Sequence, residues 1–340
     1  MTGTRPARRK RATIVEVAQL AGVSHQTVSR YLRTDGGMRE GTRERVRAAI
    51  EELDYRPNMI ARAMRDRRTG RLALVFPPGT AISSLEVLAG ATRAAEEIGY
   101  VVEVVTLGGP PETRHMRVLE LADCGLFEGI VSLTPLPDVE RRAATLSTPV
   151  VVYPQYDEAM RAIGELAEAS LVADIVDGLA ERGHRRFLHA AGDYHHASAR
   201  HRRDVYLETI ERRGLESFGV LETDWSPQRA CRGILDLPAD CGVTAVVAAS
   251  DWVAAGVVRG AVERGWRVPE DLSVTGWDNS PVGSVMPPGL TSVDVESERV
   301  GRRAIRQLAA ALGIEPPAPE DDGPLNRIVW RGSTGLAPGA

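Results

Sequence analysis

The sequence predicts an α/β protein carrying a small all-helical head, and three observations lead there. From residue 71 onward, apolar runs rich in Val and Ile alternate with stretches of helical periodicity, the grammar of buried parallel strands joined by crossover helices. The residues before that point carry helical spacing only. Charge divides at the same place: 17 Lys+Arg face 8 Asp+Glu through Arg71, and 25 face 38 afterwards, so a basic head precedes an acidic body, which fits either a polyanion partner for the head alone or, on charge by itself the better reading, a solvated basic tail.

Thr13 and Glu16 form a T-x-x-E capping box that opens a helix with Ile14, Val17 and Ala18 on one face. Gly22 ends it. Ser24 caps a second helix in which Val28 and Leu32 point inward, leaving His25, Gln26, Ser29 and Arg30 outward. A third helix follows over Val46, Ala49, Ile50 and Leu53. The first two helices with their glycine turn read as a helix-turn-helix. The outward side chains suit the major groove, because an amide pairs with an adenine edge, a guanidinium forks onto guanine, and an imidazole reaches a base or a phosphate. The bland reading, a helical bundle with an ordinary wet face, leaves unexplained why capped helix, turn, polar helix and basic flanks coincide.

In "YRPNMIARAMRDRRTG", residues 55–70, Pro57 suits the first turn of a helix and Gly70 its exit, with Ile60 and Met64 as a short apolar stripe. So short a helix is marginal alone in water. Two readings stand: a hinge helix that orders on DNA, pairs with its copy and pushes Met64 into the minor groove, or a charged interdomain linker.

In the body, the strand runs are "RLALVF", "YVVEVV", "GIVSL" and "PVVVY", then "RFLHAAG", "FGVLE", "TAVVAAS" and "LSVTGW". Segments such as "SSLEVLAGATRAAEEIG" and "DWVAAGVVRGAVERG" between them are helical. Two sets of four strands imply two doubly wound lobes joined near residues 154–162, with a ligand at the strand C-terminal ends facing the cleft.

Several classes are excluded. No apolar run is long enough to span a membrane, and the basic start lacks the apolar core of a secretion signal, so a cytoplasmic protein is expected. Lys10 is the only lysine, which removes a lysine Schiff base or phosphate-loop lysine from the body. Cys124, Cys231 and Cys241 lack zinc-site spacing and read as buried or inert thiols. Hydrolase and zinc-protease motifs are missing, so neither an enzyme nor a cofactor is expected. His189, His195, His196 and His201 crowd "HAAGDYHHASARH"; without cysteine or carboxylate companions at ligand spacing they read as loop histidines at the cleft mouth, with no metal.

The segments "TIVEVAQLAGVSHQTVSR", "YRPNMIARAMR", "GHRRFLHAAG", "SARHRR", "VPEDLSVTGWDN" and "PPGLTSV" together resemble the lactose/galactose repressor (LacI/GalR) family of bacterial transcription regulators, in order from about residue 12 to 335. The resemblance implies two lobes of the periplasmic-binding-protein type and a homodimer on a pseudo-palindromic double-stranded operator. It also implies a small effector, a sugar, whose binding between the lobes alters how heads and hinges sit on DNA. The DNA-contact set it implies is Thr13, Ser24, His25, Gln26, Thr27, Ser29, Arg30 and Arg39 in the head, with Asn58, Ala61 and Met64 in the hinge. The effector set is Arg202 and Asp278 for hydroxyls, Trp225 as a stacking plate, and Ser250 and Asp251 beside them.

Departures from the family pattern are visible. Pro154 and Gln155 follow "PVVVY" where relatives often have an acid, Ser250 stands at a frequent asparagine, and Met64 replaces leucine. Arg39 replaces a capping serine, so Thr42 is expected to cap the third helix later. A flat aromatic plate also accepts a nucleobase, the alternative effector; a solute-binding protein is the alternative function. "GLAPGA" after "NRIVWRGST" carries no leucine heptads, so a dimer rather than a tetramer is expected.

The expected organisation is a basic tail over residues 1–11, a helix-turn-helix domain over 12–56 and a hinge over 57–70. The first effector lobe takes 71–157 and 295–324, the second 158–294 and 325–335, and a tail 336–340.

Overall fold

The computed structural model describes residues 12–32, 38–56, 68–79, 84–136, 139, 146–315 and 323–339. The chain divides into two compact units, Met1–Thr69 and Gly70–Ala340.

In the first unit, α1 spans Ile14–Ala21, α2 His25–Tyr31 and α3 Glu40–Glu52. The capping box forms: the Glu16 backbone N–H donates to Thr13 Oγ1, and Thr13 N–H donates back to Glu16 Oε2 at 2.6 Å. Gly22 then takes the left-handed conformation, φ 64°, that turns the chain into α2 without the penalty a Cβ would bring. Ser24 caps α2 by accepting from Thr27 N–H at 3.2 Å. Val17, Ala18, Ala21, Val28, Val46 and Ala49 are buried, and the three alanines let the helix axes approach. α3 corrects one expectation: it starts directly after Arg39, which makes no side-chain cap, so Thr42 lies inside the helix instead of opening it. The hinge helix expected at residues 57–66 lies outside the described residues.

The second unit holds two parallel four-stranded sheets of the same topology. The first contains β1 (Arg71–Phe76), β2 (Val101–Thr106), β3 (Gly129–Ser132) and β4 (Val150–Val152), ordered β2-β1-β3-β4. Between its strands run α4 (Ser84–Glu97) and α5 (Pro111–Asp123). After α6 (Leu171–Glu181), the second contains β5 (Arg186–Ala191), β6 (Glu216–Glu222), β7 (Ala245–Ala248) and β8 (Ser273–Thr275), ordered β6-β5-β7-β8. Its crossovers are α7 (Ala197–Arg212), α8 (Pro227–Leu235) and α9 (Asp251–Glu263). All eight strands fall on the predicted runs; the central strands β1, β3, β5 and β7 are buried almost throughout, as the apolar runs of a parallel sheet require, while the edge strands β2 and β6 are half-buried.

The short α10 (Pro281–Val285) leads to β9 (Ser292–Val295), which pairs antiparallel with β10 (Asn326–Val329) beside β8. Between β9 and β10 the chain returns to the first lobe as α11 (Ser297–Ala311). α11 lies on α4 at very close range: a Cβ on Gly90 would come 1.8 Å from Glu298 O, and one on Gly301 1.9 Å from Val87 O. α8 and α9 meet through Gly256 in the same manner, 2.1 Å from Pro227 O. These crossings fix the helices, and with them the loops at the strand C-terminal ends where the cleft lies.

Among the described residues, no helix is long and apolar enough to cross a membrane. Cys231 and Cys241 are buried and Cys124 is exposed.

Candidate functional site

In the head, α2 presents polar side chains to solvent. His25, Gln26 and Arg30 are exposed, Ser29 is half-buried, and Val28 between them is sealed in the core. Ser24 and Thr27 join hydroxyls at 3.0 Å, which leaves the cap in place at the start of the polar face. Thr13 and Arg39 are exposed at the starts of α1 and α3. A helix N-terminus, an amide, an imidazole and a guanidinium thus share one solvent-facing surface, the chemistry that reads base edges and phosphates. Asn58, Ala61 and Met64 lie outside the described residues.

In the second unit, a cavity of about 340 Å³ opens between the two lobes. Its walls come from strand C-terminal ends: Trp225 after β6, Ser250 after β7, Asp278 after β8, and Arg202 from the first turns of α7 after β5. This is where a doubly wound sheet leaves room for a ligand. Four of the five expected effector residues therefore meet in one place.

Arg202 is 4% exposed. Its Nη1 donates to Ala249 O at 2.5 Å and its guanidinium lies 4.2 Å above the Trp277 ring, while Nε has no hydrogen-bond partner among the described residues. Burial pulls its pKa down to about 10, with Asp278 and Glu168 opposing. Asp278 responds in the opposite direction. Burial pushes its carboxyl up to about 7 against the attraction of Arg202, and the charges of Asp251 and Glu86 push the same way. A carboxyl poised there both donates and accepts near neutrality, which suits a hydroxyl-bearing ligand.

The Trp225 indole lies over Gly192, where a Cβ would come 2.4 Å from the ring, so only glycine leaves the plate its place. His196 meets the ring edge-on, with centroids 5.5 Å apart. Trp225 Nε1 is buried without a hydrogen-bond partner among the described residues. Trp225 (φ 60°), Asp278 (φ 99°) and Met160 (φ 60°), all lining the cavity, hold left-handed backbone conformations. Each costs on the order of 1–3 kcal/mol, and such strain clusters where geometry serves a ligand.

Asp251 stands apart. It is buried but does not line the cavity: its carboxylate accepts from Ser280 N–H and Ser292 Oγ, both at 2.6 Å, which ties the start of α9 to β9 and the loop before α10. Ser250 caps α9 by accepting from Val253 N–H and does face the cavity. Gln155, at the departure after β4, is buried and accepts from Leu166 N–H, pinning the crossover between lobes.

The histidines spread out. His189 sits in β5, with Nδ1 on Val247 O and its ring stacked on Tyr206; burial lowers its pKa to about 4. His201 is in α7 and meets Ala167 O, and His195 pairs with Asp193. Only His196 of the four lines the cavity, so the loop reading fails for His189 and His201, which belong to regular elements. No cluster of three or more His, Cys, Asp or Glu side chains among the described residues is placed to hold a metal ion.

Sequence reasoning missed Glu86, Met160, Leu166, Trp252 and Ser297 in the cavity wall. The signal for Glu86 and Trp252 was present: each lies in the first turn of a helix that follows a strand C-terminal end.

Residues 13–58 match the family described as bacterial regulatory proteins, lacI family, and residues 176–334 match the periplasmic binding protein-like domain. The chain is 32% identical to the HTH-type transcriptional regulator CelR of Thermobifida fusca, over 92% of this chain and 95% of that protein. Among solved structures, the lac repressor dimer bound to operator and the anti-inducer ONPF aligns with a TM-score of 0.72 at 24% identity, covering 96% of this chain and all of that one. A complex of the transcriptional regulator CelR with cellobiose aligns with a TM-score of 0.54 at 28% identity, over 95% of this chain and all of that one. The capped helix-turn-helix and the two doubly wound lobes therefore belong together, and this chain is a member of the lacI family of bacterial regulatory proteins, DNA-binding regulators of transcription.

Proposed function

We propose that this regulator represses carbohydrate-use genes and is released from, or held on, its operator by a sugar bound between the lobes. One observation carries the sugar: Trp225, Asp278 and Arg202 supply an aromatic plate, a carboxyl near its titration point and a guanidinium with an unpaired Nε around one cavity. A pyranose presents an apolar C–H face to the plate and hydroxyl edges to the polar groups. A nucleobase would use the plate but leave much of the hydroxyl-matching set unpaired. The CelR–cellobiose complex supports the same class of effector.

The DNA contacts assigned are Ser24, His25, Gln26, Thr27, Ser29 and Arg30 on the α2 surface, with Thr13 and Arg39 touching phosphates. Asn58, Ala61 and Met64 serve in the hinge. The lobes are taken as residues 71–157 with 295–324, and 158–294 with 325–335, acting as a homodimer in the cytoplasm. In this reading Asp251 acts behind the cavity, holding Ser250 and the Asp278 loop, instead of touching the effector. Coupling requires that the sugar prefer one lobe arrangement over the other, since equal affinity for both shifts nothing.

The test is titration of sugars into the complex of the full chain with an operator duplex selected from random sequences. A sugar that changes operator affinity in the wild type but not in Arg202→Ala, whose DNA binding without sugar is unchanged, is the expected result. Turnover of the sugar, or no response to any sugar alongside a response to a nucleobase, contradicts the proposal.

A further inference from the structure

The cavity wall contains a second indole. Trp252 follows Asp251 in the first turn of α9, lines the same cavity as Trp225, and is 59% exposed. It also borders the groove between α8 and α9, so it stands at the mouth, while Trp225 lies inside over Gly192. Because this indole borders the same cavity as Trp225, a ligand extending outward from Trp225 would lie against it. The cavity, about 340 Å³, has room for about ten waters at roughly 30 Å³ each.

Charge narrows the ligand further. Among the described residues Arg202 is the one arginine of the lining and already spends Nη1 on Ala249 O, whereas Glu86 and Asp278 both line the wall. Asp294 and Glu298 act on Glu86 from beside it. A phosphorylated or acidic sugar would bring like charge against Glu86, and against Asp278 once that carboxyl ionises above about 7, in a partly desolvated space.

We propose that the effector is a neutral disaccharide, its inner ring on Trp225 within reach of Arg202, Asp278 and Ser250 and its outer ring on Trp252 at the mouth. This rests on the sugar reading above and adds the number of rings and the charge. Trp252 then sets size selectivity and Trp225 serves any sugar bound.

The test is calorimetric titration of the full chain with cellobiose, maltose and lactose, against glucose, galactose and glucose 6-phosphate. At least one disaccharide should bind on the order of tenfold more tightly than either monosaccharide, and glucose 6-phosphate should bind no more tightly than glucose. In Trp252→Ala, an exposed position whose change leaves the core intact, that advantage should vanish with monosaccharide affinity unchanged. Trp252→Phe should restore part of it, and Trp225→Ala should weaken mono- and disaccharide alike. Sugars that bind with equal affinity whatever their ring number, a Trp252→Ala loss shared by both classes, or tighter binding of the phosphate overturns this inference while leaving the sugar reading standing. Binding of none of these sugars overturns both.

Discussion

Replacing Asp278 with asparagine should stabilise the protein, and only above mildly acidic pH. The carboxyl is pushed from an ordinary 3.8 up to about 7, burial being the largest cause. The folded state therefore holds this proton more tightly than the unfolded chain does. Below pH 4 the group is protonated in both states and contributes nothing. As pH rises from about 4 to about 7 the unfolded chain ionises freely while the folded one resists, so stability falls across that window and stays reduced above it. The separation between the two values corresponds to about 4 kcal/mol at about 1.4 kcal/mol per pH unit. Asp278 is only half-buried by surface area, so solvent screening reduces the expected gain to about 2 kcal/mol. Asp278→Asn preserves shape and removes the charge. Denaturant unfolding of wild type and variant at pH 4, 5, 6, 7 and 8 should show curves that coincide at pH 4 and separate progressively up to pH 7. A variant less stable than wild type at pH 8, or an offset independent of pH, would refute the burial argument. The same variant should bind effector more weakly, which is how a functional group comes to be kept at a cost in stability.

Gly192→Ala should displace the Trp225 plate, because the new Cβ would lie 2.4 Å from its ring; sugar affinity measured by calorimetry should fall about tenfold with little change in operator affinity. Gly90→Ala places a Cβ 1.8 Å from Glu298 O, so α4 and α11 must separate; a loss of about 1–3 kcal/mol in denaturant unfolding is expected, and an unchanged midpoint would contradict the close crossing. Ser24→Ala removes the acceptor for Thr27 N–H and should cost α2 about 1 kcal/mol, read as faster hydrogen exchange of the amides of residues 28–31 while α4 and α9 are unaffected.

Strands and head helices were legible because each is written in a local signal: short apolar runs between helical stretches for β1–β8, and caps, a glycine turn and i, i+4 spacing for α1–α3. β9 and β10 were not predicted, since "SVDV" and "NRIV" are four residues each, half polar, and made into strands only by pairing Val295 with Asn326 across a long stretch of sequence. Arg202, Trp225, Ser250 and Asp278 were found through the family pattern. What that pattern left out was direction. Asp251 and Trp252 are adjacent, and only the helix start decides that the carboxylate turns back to Ser280 and Ser292 while the indole turns to the cavity. His189 misled for a related reason: grouped with the histidines of "HAAGDYHHASARH" it reads with the loop, although it belongs to the strand run "RFLHAAG", where it is buried with Nδ1 on Val247 O.

The claim on which the account rests is that the exposed face of α2 reads DNA. Fluorescence anisotropy of the full chain on its selected operator, on single-base variants and on random duplex, at two salt concentrations, tests it most directly when repeated with Arg30→Ala. The account predicts tight binding that weakens steeply with salt, and for Arg30→Ala a loss of about 1–3 kcal/mol with discrimination relaxed at one base pair of each half-site. Unchanged affinity and unchanged discrimination in Arg30→Ala would contradict it.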